Sequence, residues 1–278
     1  MRYRGSILWH WSRGSNPITT TSGVPLANYP PQFYRRHGET ALASARRIVP
    51  IVLDLLTPQR VIDIGCGSGA WLAIFREHGV EDILGLDGVW IDEDQLKIPR
   101  ERFRRADLQQ PLEIEREFDL VISLEIAEHL PQARAEGFIA DLVALAPVVL
   151  FSAAIPFQGG LHHVNEQWPD YWARLFESHR FEAIDVIRYQ VWNDPQVSSW
   201  YKQNILIFAR DDTIRTCERL RDAWRASPKG VLALVHPEFF LGKVKGAHPD
   251  FGRWLRMAPK ALRHSLGRRF RHGGAQDP

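Results

Sequence analysis

The sequence predicts an α/β protein: a doubly wound, mostly parallel seven-stranded sheet with helices on both faces and an antiparallel last strand. Three observations carry this. Short apolar runs at 61–64, 83–87, 103–107, 118–124 and 148–153 alternate with helix-like stretches. Phe118 to Leu124 is nearly continuous in apolar residues, as a parallel strand covered on both faces should be. Two further strand-like segments, Phe181 to Val191 and Asn204 to Ala209, are separated only by an irregular stretch, which suggests an antiparallel pair.

The elements follow in order. Thr40 to Leu56 carries Leu42, Ala45, Ile48, Val49, Val52, Leu53 and Leu56 at helical spacing, disturbed by Pro50. Val61 to Ile64 then runs into three glycines at alternate positions, Gly65, Gly67 and Gly69. Trp71, Leu72, Ile74 and Phe75 form the inner face of a helix that Gly79 ends. Ala133 to Leu145 and Asp170 to His179 read as further helices, the second burying Trp172, Leu175 and Phe176.

Strand, glycine turn and helix start form a ligand site. Glycine lets the backbone turn sharply and come close to a ligand, and the new helix offers free N–H groups. In such a sheet the ligand lies at the carboxyl ends of the strands. Asp87, about 20 residues beyond the glycines, can accept hydrogen bonds from two ribose hydroxyls. Asp107 ends the next strand and Asp63 precedes the turn. The turn alone leaves the nucleotide open, because Gly65, Gly67 and Ala70 also satisfy the dinucleotide pattern.

Asp63-Ile-Gly65-Cys-Gly67-Ser-Gly69, Gly85-Leu-Asp87, Ala106-Asp107-Leu108 and Phe118 to Glu125 together resemble the successive motifs of class I S-adenosylmethionine-dependent methyltransferases. The similarity covers roughly Phe33 to Arg210. It implies S-adenosylmethionine as cofactor. It also implies a donor site made from Asp63, Gly65, Cys66, Gly67, Gly69, Asp87, Gly88, Asp107, Leu108 and Leu124. In that carry-over Asp87 holds the ribose, Asp107 meets the adenine amino group, and Asp63 lies near the methionyl end. An NAD-dependent oxidoreductase is disfavoured, because no Tyr-x-x-x-Lys or comparable hydride-transfer set is present. A non-catalytic module on the same fold is the remaining alternative.

The chemistry should lie after the fourth and fifth strands. Glu125, Glu128 and His129 would share one face if that stretch were helical, and Leu161 to Glu166 returns His162 and His163 to the same sheet edge. In one reading His129 or His163 is a general base for a hydroxyl, with Glu125 assisting. In the other, Glu125, Glu128, His129 and one of His162 or His163 bind a divalent metal. That spacing resembles small-RNA 2′-O-methyltransferases and some quinone-precursor O-methyltransferases. The base reading is preferred, with nucleic acid an unlikely partner. The aromatic stretch Phe157 to Tyr201 supplies pocket walls, with Trp192 and Trp200 at its rim, and His163 to Trp172 resembles methyltransferases of bacterial glycan assembly. A saccharide or other small molecule is the expected acceptor.

Residues 1–32 read as an N-terminal arm, 33–210 as the main domain, and 211–278 as a basic helical extension. The formal charge of +2 hides +7 from Leu241 onward and −5 elsewhere. Leu262, Leu266 and Phe270 share a helical face with arginines around it, so peripheral contact with an anionic membrane is one use of the tail. The longest apolar run, Ala144 to Phe157, contains Pro147 and Pro156 and falls short of the ~20 residues of a membrane span. With two cysteines and no continuous secretory apolar region, a cytoplasmic location is expected.

Overall fold

The computed structural model describes residues 31–247. The arm, and the helix face of Leu262, Leu266 and Phe270, lie outside the described residues. Seven strands form one sheet: β1 (Arg60–Ile64), β2 (Asp82–Asp87), β3 (Phe103–Arg105), β4 (Leu120–Leu124), β5 (Val148–Ser152), β6 (Phe181–Ile184) and β7 (Leu206–Arg210). Their spatial order is β3-β2-β1-β4-β5-β7-β6. β1 to β5 pair in parallel, and β7 runs antiparallel to both β5 and β6. The order reverses between β1 and β4, which leaves a crevice at their carboxyl ends.

Alternation along the strands divides the core into two layers. Val61, Ile83, Leu120, Ile122, Leu150 and Ile207 face one apolar cluster. It is capped by α1 (Pro31–Leu55), α2 (Ala70–Glu77), α5 (Ile187–Val191) and α6 (Ser199–Asn204). Ile62, Ile64, Leu86, Val121, Val149 and Phe208 face the other, covered by α3 (Ala135–Leu145) and α4 (Pro169–Ser178). Phe176 stacks flat on Phe208 at 3.9 Å, locking α4 to the antiparallel strand. Trp172 and Phe176 are buried there, as their spacing predicted.

Three expectations change. Phe181 to Val191 is not one strand: β6 stops at Ile184, and Ile187–Val191 is helical. The cause is the fully buried Arg188, whose guanidinium pairs with Asp185 and donates to the carbonyls of Gln203 and Leu232, which a strand geometry could not present together. The stretch before β7 is also ordered, as α6. Finally, the chain divides into compact units after Leu234, not after Arg210. α7 (Asp211–Thr216) and α8 (Glu218–Ala226) pack beside β7 and β6, because Ile214, Leu220 and Ala223 give them an apolar face to bury. The second unit contains α9 (Pro237–Ala247). Among the described residues no helix is long and apolar enough to cross a membrane.

Candidate active site

At the end of β1 the glycine turn is strapped to the neighbouring strand: the N–H groups of Gly65 and Cys66 both donate to the Leu86 carbonyl, at 2.7 and 3.0 Å. Gly65 has φ +87°, and a Cβ there would lie 2.3 Å from Ile126. Gly67 also has positive φ (+55°), but a Cβ there would meet nothing within 4 Å. Gly65 is therefore a packing glycine, whereas Gly67 faces open space. Gly69 packs against Ile98, Cys66 is buried against Gly85, and Gly88 lies under the ring of Trp90.

Asp87 is buried at the end of β2, and its carboxylate accepts from Gly67 N–H at 2.7 Å and Gly88 N–H at 2.6 Å. Burial raises its pKa to about 6 against these hydrogen bonds and one from the Trp90 indole. Asp63, on β1, is buried with Oδ2 lacking a partner, and burial together with Asp87 holds its carboxyl well above the usual range. Two neighbouring buried carboxyl groups, one with an orphaned oxygen, suit a ligand that brings hydroxyl donors and positive charge. The donor set thus fits a sulfonium nucleoside. Asp107 accepts from Gln109 N–H at 3.0 Å, closing a turn; Leu108 is buried with its carbonyl bound by Arg134, and Leu124 is buried at the end of β4.

The other half of the crevice differs from the expected helix. Glu125 has φ +57°, which turns the chain sharply, and only Ala127–His129 forms a short 3₁₀ turn. Glu125, Glu128 and His129 therefore do not share a helical face. The Glu125 carboxylate accepts from Gln158 Nε2 at 2.7 Å and Asn204 Nδ2 at 3.1 Å, and burial outweighs these bonds to raise its pKa.

Glu128, His129 and His163 do come together. One ligand atom from each lies within 4.8 Å of the others, a set able to hold a metal ion; Glu125 and His162 are not in it. Glu128 is fully buried, neither carboxylate oxygen has a hydrogen-bond partner of good geometry, and burial and then Glu125 raise its pKa strongly. The loop from β5 is pinned here by Val164 and Asn165 N–H groups, both donating to the Glu128 carbonyl. His163 Nδ1 lies 2.9 Å from Glu166 Oε1, and its Nε2 lies 4.0 Å from Glu128. Its ring meets His129 edge-on at 4.8 Å. Part of the His129 ring is open to solvent; loss of hydration on its packed side, and then His163, lower its pKa.

Sequence reasoning missed four participants. Glu166 was visible in the histidine segment, but its role depends on its also gathering the N–H groups of Phe157 and Gly159, at 2.9 and 2.6 Å. Gln158 and Asn204 gave no local signal, since each acts on a residue from another segment; Trp90 sits within three residues of Gly88 and Asp87, but no pattern marks it.

A family model described as a methyltransferase domain matches residues 34–189, more than half of the chain. The chain belongs to the class I S-adenosylmethionine-dependent methyltransferases. It is similar to the chloroplastic magnesium protoporphyrin IX methyltransferase of Arabidopsis thaliana, 24% identical over 117 residues. That match covers 39% of this chain and spans only 38% of the relative's length. Among solved structures, the sugar N-methyltransferase KedS8 from Streptoalloteichus sp. is 16% identical with a TM-score of 0.51, over 73% of this chain and 99% of that one. The methyltransferase domain of bacterial CtHen1 is 22% identical with a TM-score of 0.44, over 60% and 97%. The KedS8 likeness agrees with the fold.

Proposed function

We propose that this methyltransferase moves the methyl group of S-adenosylmethionine to a hydroxyl oxygen, most naturally that of a saccharide or similar small molecule. The supporting observation is the His163–Glu166 pair. In the tautomer in which Glu166 accepts from Nδ1–H, Nε2 is the free acceptor; it lies 4.0 Å from Glu128 and packs over Gly160, with the His129 ring edge-on to the His163 ring. A hydroxyl is hardly ionised at neutral pH, so its attack profits from a positioned base. When bound, S-adenosylmethionine supplies an electrophilic methyl on a positively charged sulfur. In this reading the acceptor oxygen bonds to that carbon as the carbon–sulfur bond breaks, and the hydroxyl proton passes to His163 Nε2. Glu166 stabilises the imidazolium that results. Asp87, Asp63 and the open face at Gly67 hold the donor, and proximity contributes ~7 to 11 kcal/mol, more than the base.

Glu128, His129 and His163 also favour a second reading, a divalent ion that lowers the hydroxyl pKa. These three would then be ligands and Glu125 a neighbour. A saccharide acceptor draws support from the aromatic walls after β5 and from the resemblance of residues 163–172 to methyltransferases of glycan assembly; KedS8, a sugar enzyme, shares the fold.

The test is transfer of tritium from methyl-labelled S-adenosylmethionine to methyl glycosides of glucose, galactose and N-acetylglucosamine. Label in a methyl ether on a sugar hydroxyl supports the reading. Label that enters only the amine of methyl glucosaminide, run beside them, sinks the oxygen assignment.

A further inference from the structure

A cleft of about 410 Å³, separate from the crevice between β1 and β4, opens beside the loop that carries His163. It is lined by Gln167, Trp168, Asp170, Tyr171, Arg174 and Ala233. Its position is fixed by the bonds that fix the site. Asn165 is held by the Glu128 carbonyl, Gln167 N–H donates to the Ala154 carbonyl at 3.2 Å, and the Gln167 amide donates to Asn165 at 3.0 Å. Trp168 lies five residues from His163, so the two are at most about 17 Å apart.

The lining has an uncommon chemistry for a surface. Trp168 is 42% exposed, although a ring of that size gains by burial, and Tyr171 is half-buried beside it. Among the described residues, the polar tips of Trp168, Asp170, Tyr171 and Arg174 make no hydrogen bond or ion pair. Asp170 and Arg174 are four apart on α4, a spacing that normally permits pairing, yet they stay unpaired. Flat rings with unspent donors and acceptors around them suit a ligand that is apolar on one face and hydroxylated at its rim. One acidic and one basic group, neither paired among the described residues, leave no net charge to select a phosphate or carboxylate.

We infer that this cleft is a saccharide subsite, in which a neutral pyranose stacks on Trp168 and exchanges hydrogen bonds with Asp170, Tyr171 and Arg174. It would hold a sugar unit of the acceptor away from the one being methylated. The inference rests on the saccharide reading above and deepens it.

Saturation-transfer NMR with the methyl glycosides of glucose, galactose and N-acetylglucosamine tests it, on protein loaded with S-adenosylhomocysteine. Wild type, Trp168→Ala, Arg174→Ala and His163→Ala are compared. The expected result is a glycoside signal in wild type and His163→Ala, with affinity about tenfold weaker in Trp168→Ala and Arg174→Ala. Unchanged affinity in both cleft variants overturns the subsite while the saccharide reading stands. No signal in wild type also overturns it, and methyl transfer to the same glycosides then shows separately whether the saccharide reading falls. Retained S-adenosylhomocysteine binding in each variant excludes misfolding as the cause.

Discussion

The two halves of the crevice are built differently. On the side proposed for the donor, at the ends of β1 and β2, Asp87 is held by two backbone N–H groups of the turn and by the Trp90 indole, and Asp63 Oδ2 has no partner. On the acceptor side, side chains hold side chains: Gln158 and Asn204 hold Glu125, while Glu166 orients His163. The first side rests chiefly on backbone shape, the second on side chains drawn from separate segments.

If that division is right, the largest effect belongs to the acceptor side. His163→Ala should lower the methyl-transfer rate by about 10²- to 10⁴-fold in a single-turnover assay with bound donor unchanged. Two glycines break the donor side in different ways. Gly65→Ala meets both Ile126 and a left-handed backbone, and should cost about 2 kcal/mol or more by chemical denaturation. Gly67→Ala meets only the backbone strain, about 1 kcal/mol, but places a methyl group in the open space proposed for the ligand. Its stability should change less and its affinity for S-adenosylhomocysteine more.

A smaller effect separates the halves by pH. Folding raises the pKa of Asp87 to about 6, so the folded protein holds that proton more tightly than the unfolded chain. The contribution of Asp87 to stability is therefore greatest in acid and falls as pH rises from the ordinary carboxylate range through 6, by at most about 3 kcal/mol. Asp87→Asn should remove that slope from the difference between its melting curve and that of the ligand-free wild type. S-adenosylhomocysteine affinity should move the other way and weaken below pH 6, as the carboxylate loses an acceptor. Equal slopes for the two proteins would discard the assignment. The smallest expected effect is none: exhaustive chelation should leave transfer unchanged, and loss restored by one divalent ion would favour the metal reading.

How much was legible follows the same line. The parallel strands, the antiparallel end and the glycine turn could be read because their signals are local: glycines at alternate positions, an aspartate about 20 residues on, and apolar runs of strand length; the spatial order of the strands came only from the structure. The error over Glu125 to His129 arose because helical spacing was assumed where one residue takes a left-handed conformation, for which sequence gives little warning outside glycine and asparagine. Arg188 likewise ended a strand through partners as distant as Leu232. Gln158 and Asn204 matter only through residues that the fold brings near, and Glu166, though three residues from His163, through the loop that turns it onto that ring, so pattern alone could not rank them. Glu128, His129 and His163 were grouped with Glu125 for a helical reason; the structure brings the three together through a loop pinned to the Glu128 carbonyl and leaves Glu125 outside the set.

The most direct test of a backbone-built donor half and a side-chain-built acceptor half is calorimetric titration of S-adenosylhomocysteine into wild type, Asp87→Ala and His163→Ala. The account predicts at least tenfold weaker binding for Asp87→Ala, since a hydrogen bond to a charged group is worth ~1.5 to 3 kcal/mol, and unchanged binding for His163→Ala. Wild-type affinity in Asp87→Ala, or an equal loss in both variants, would contradict it.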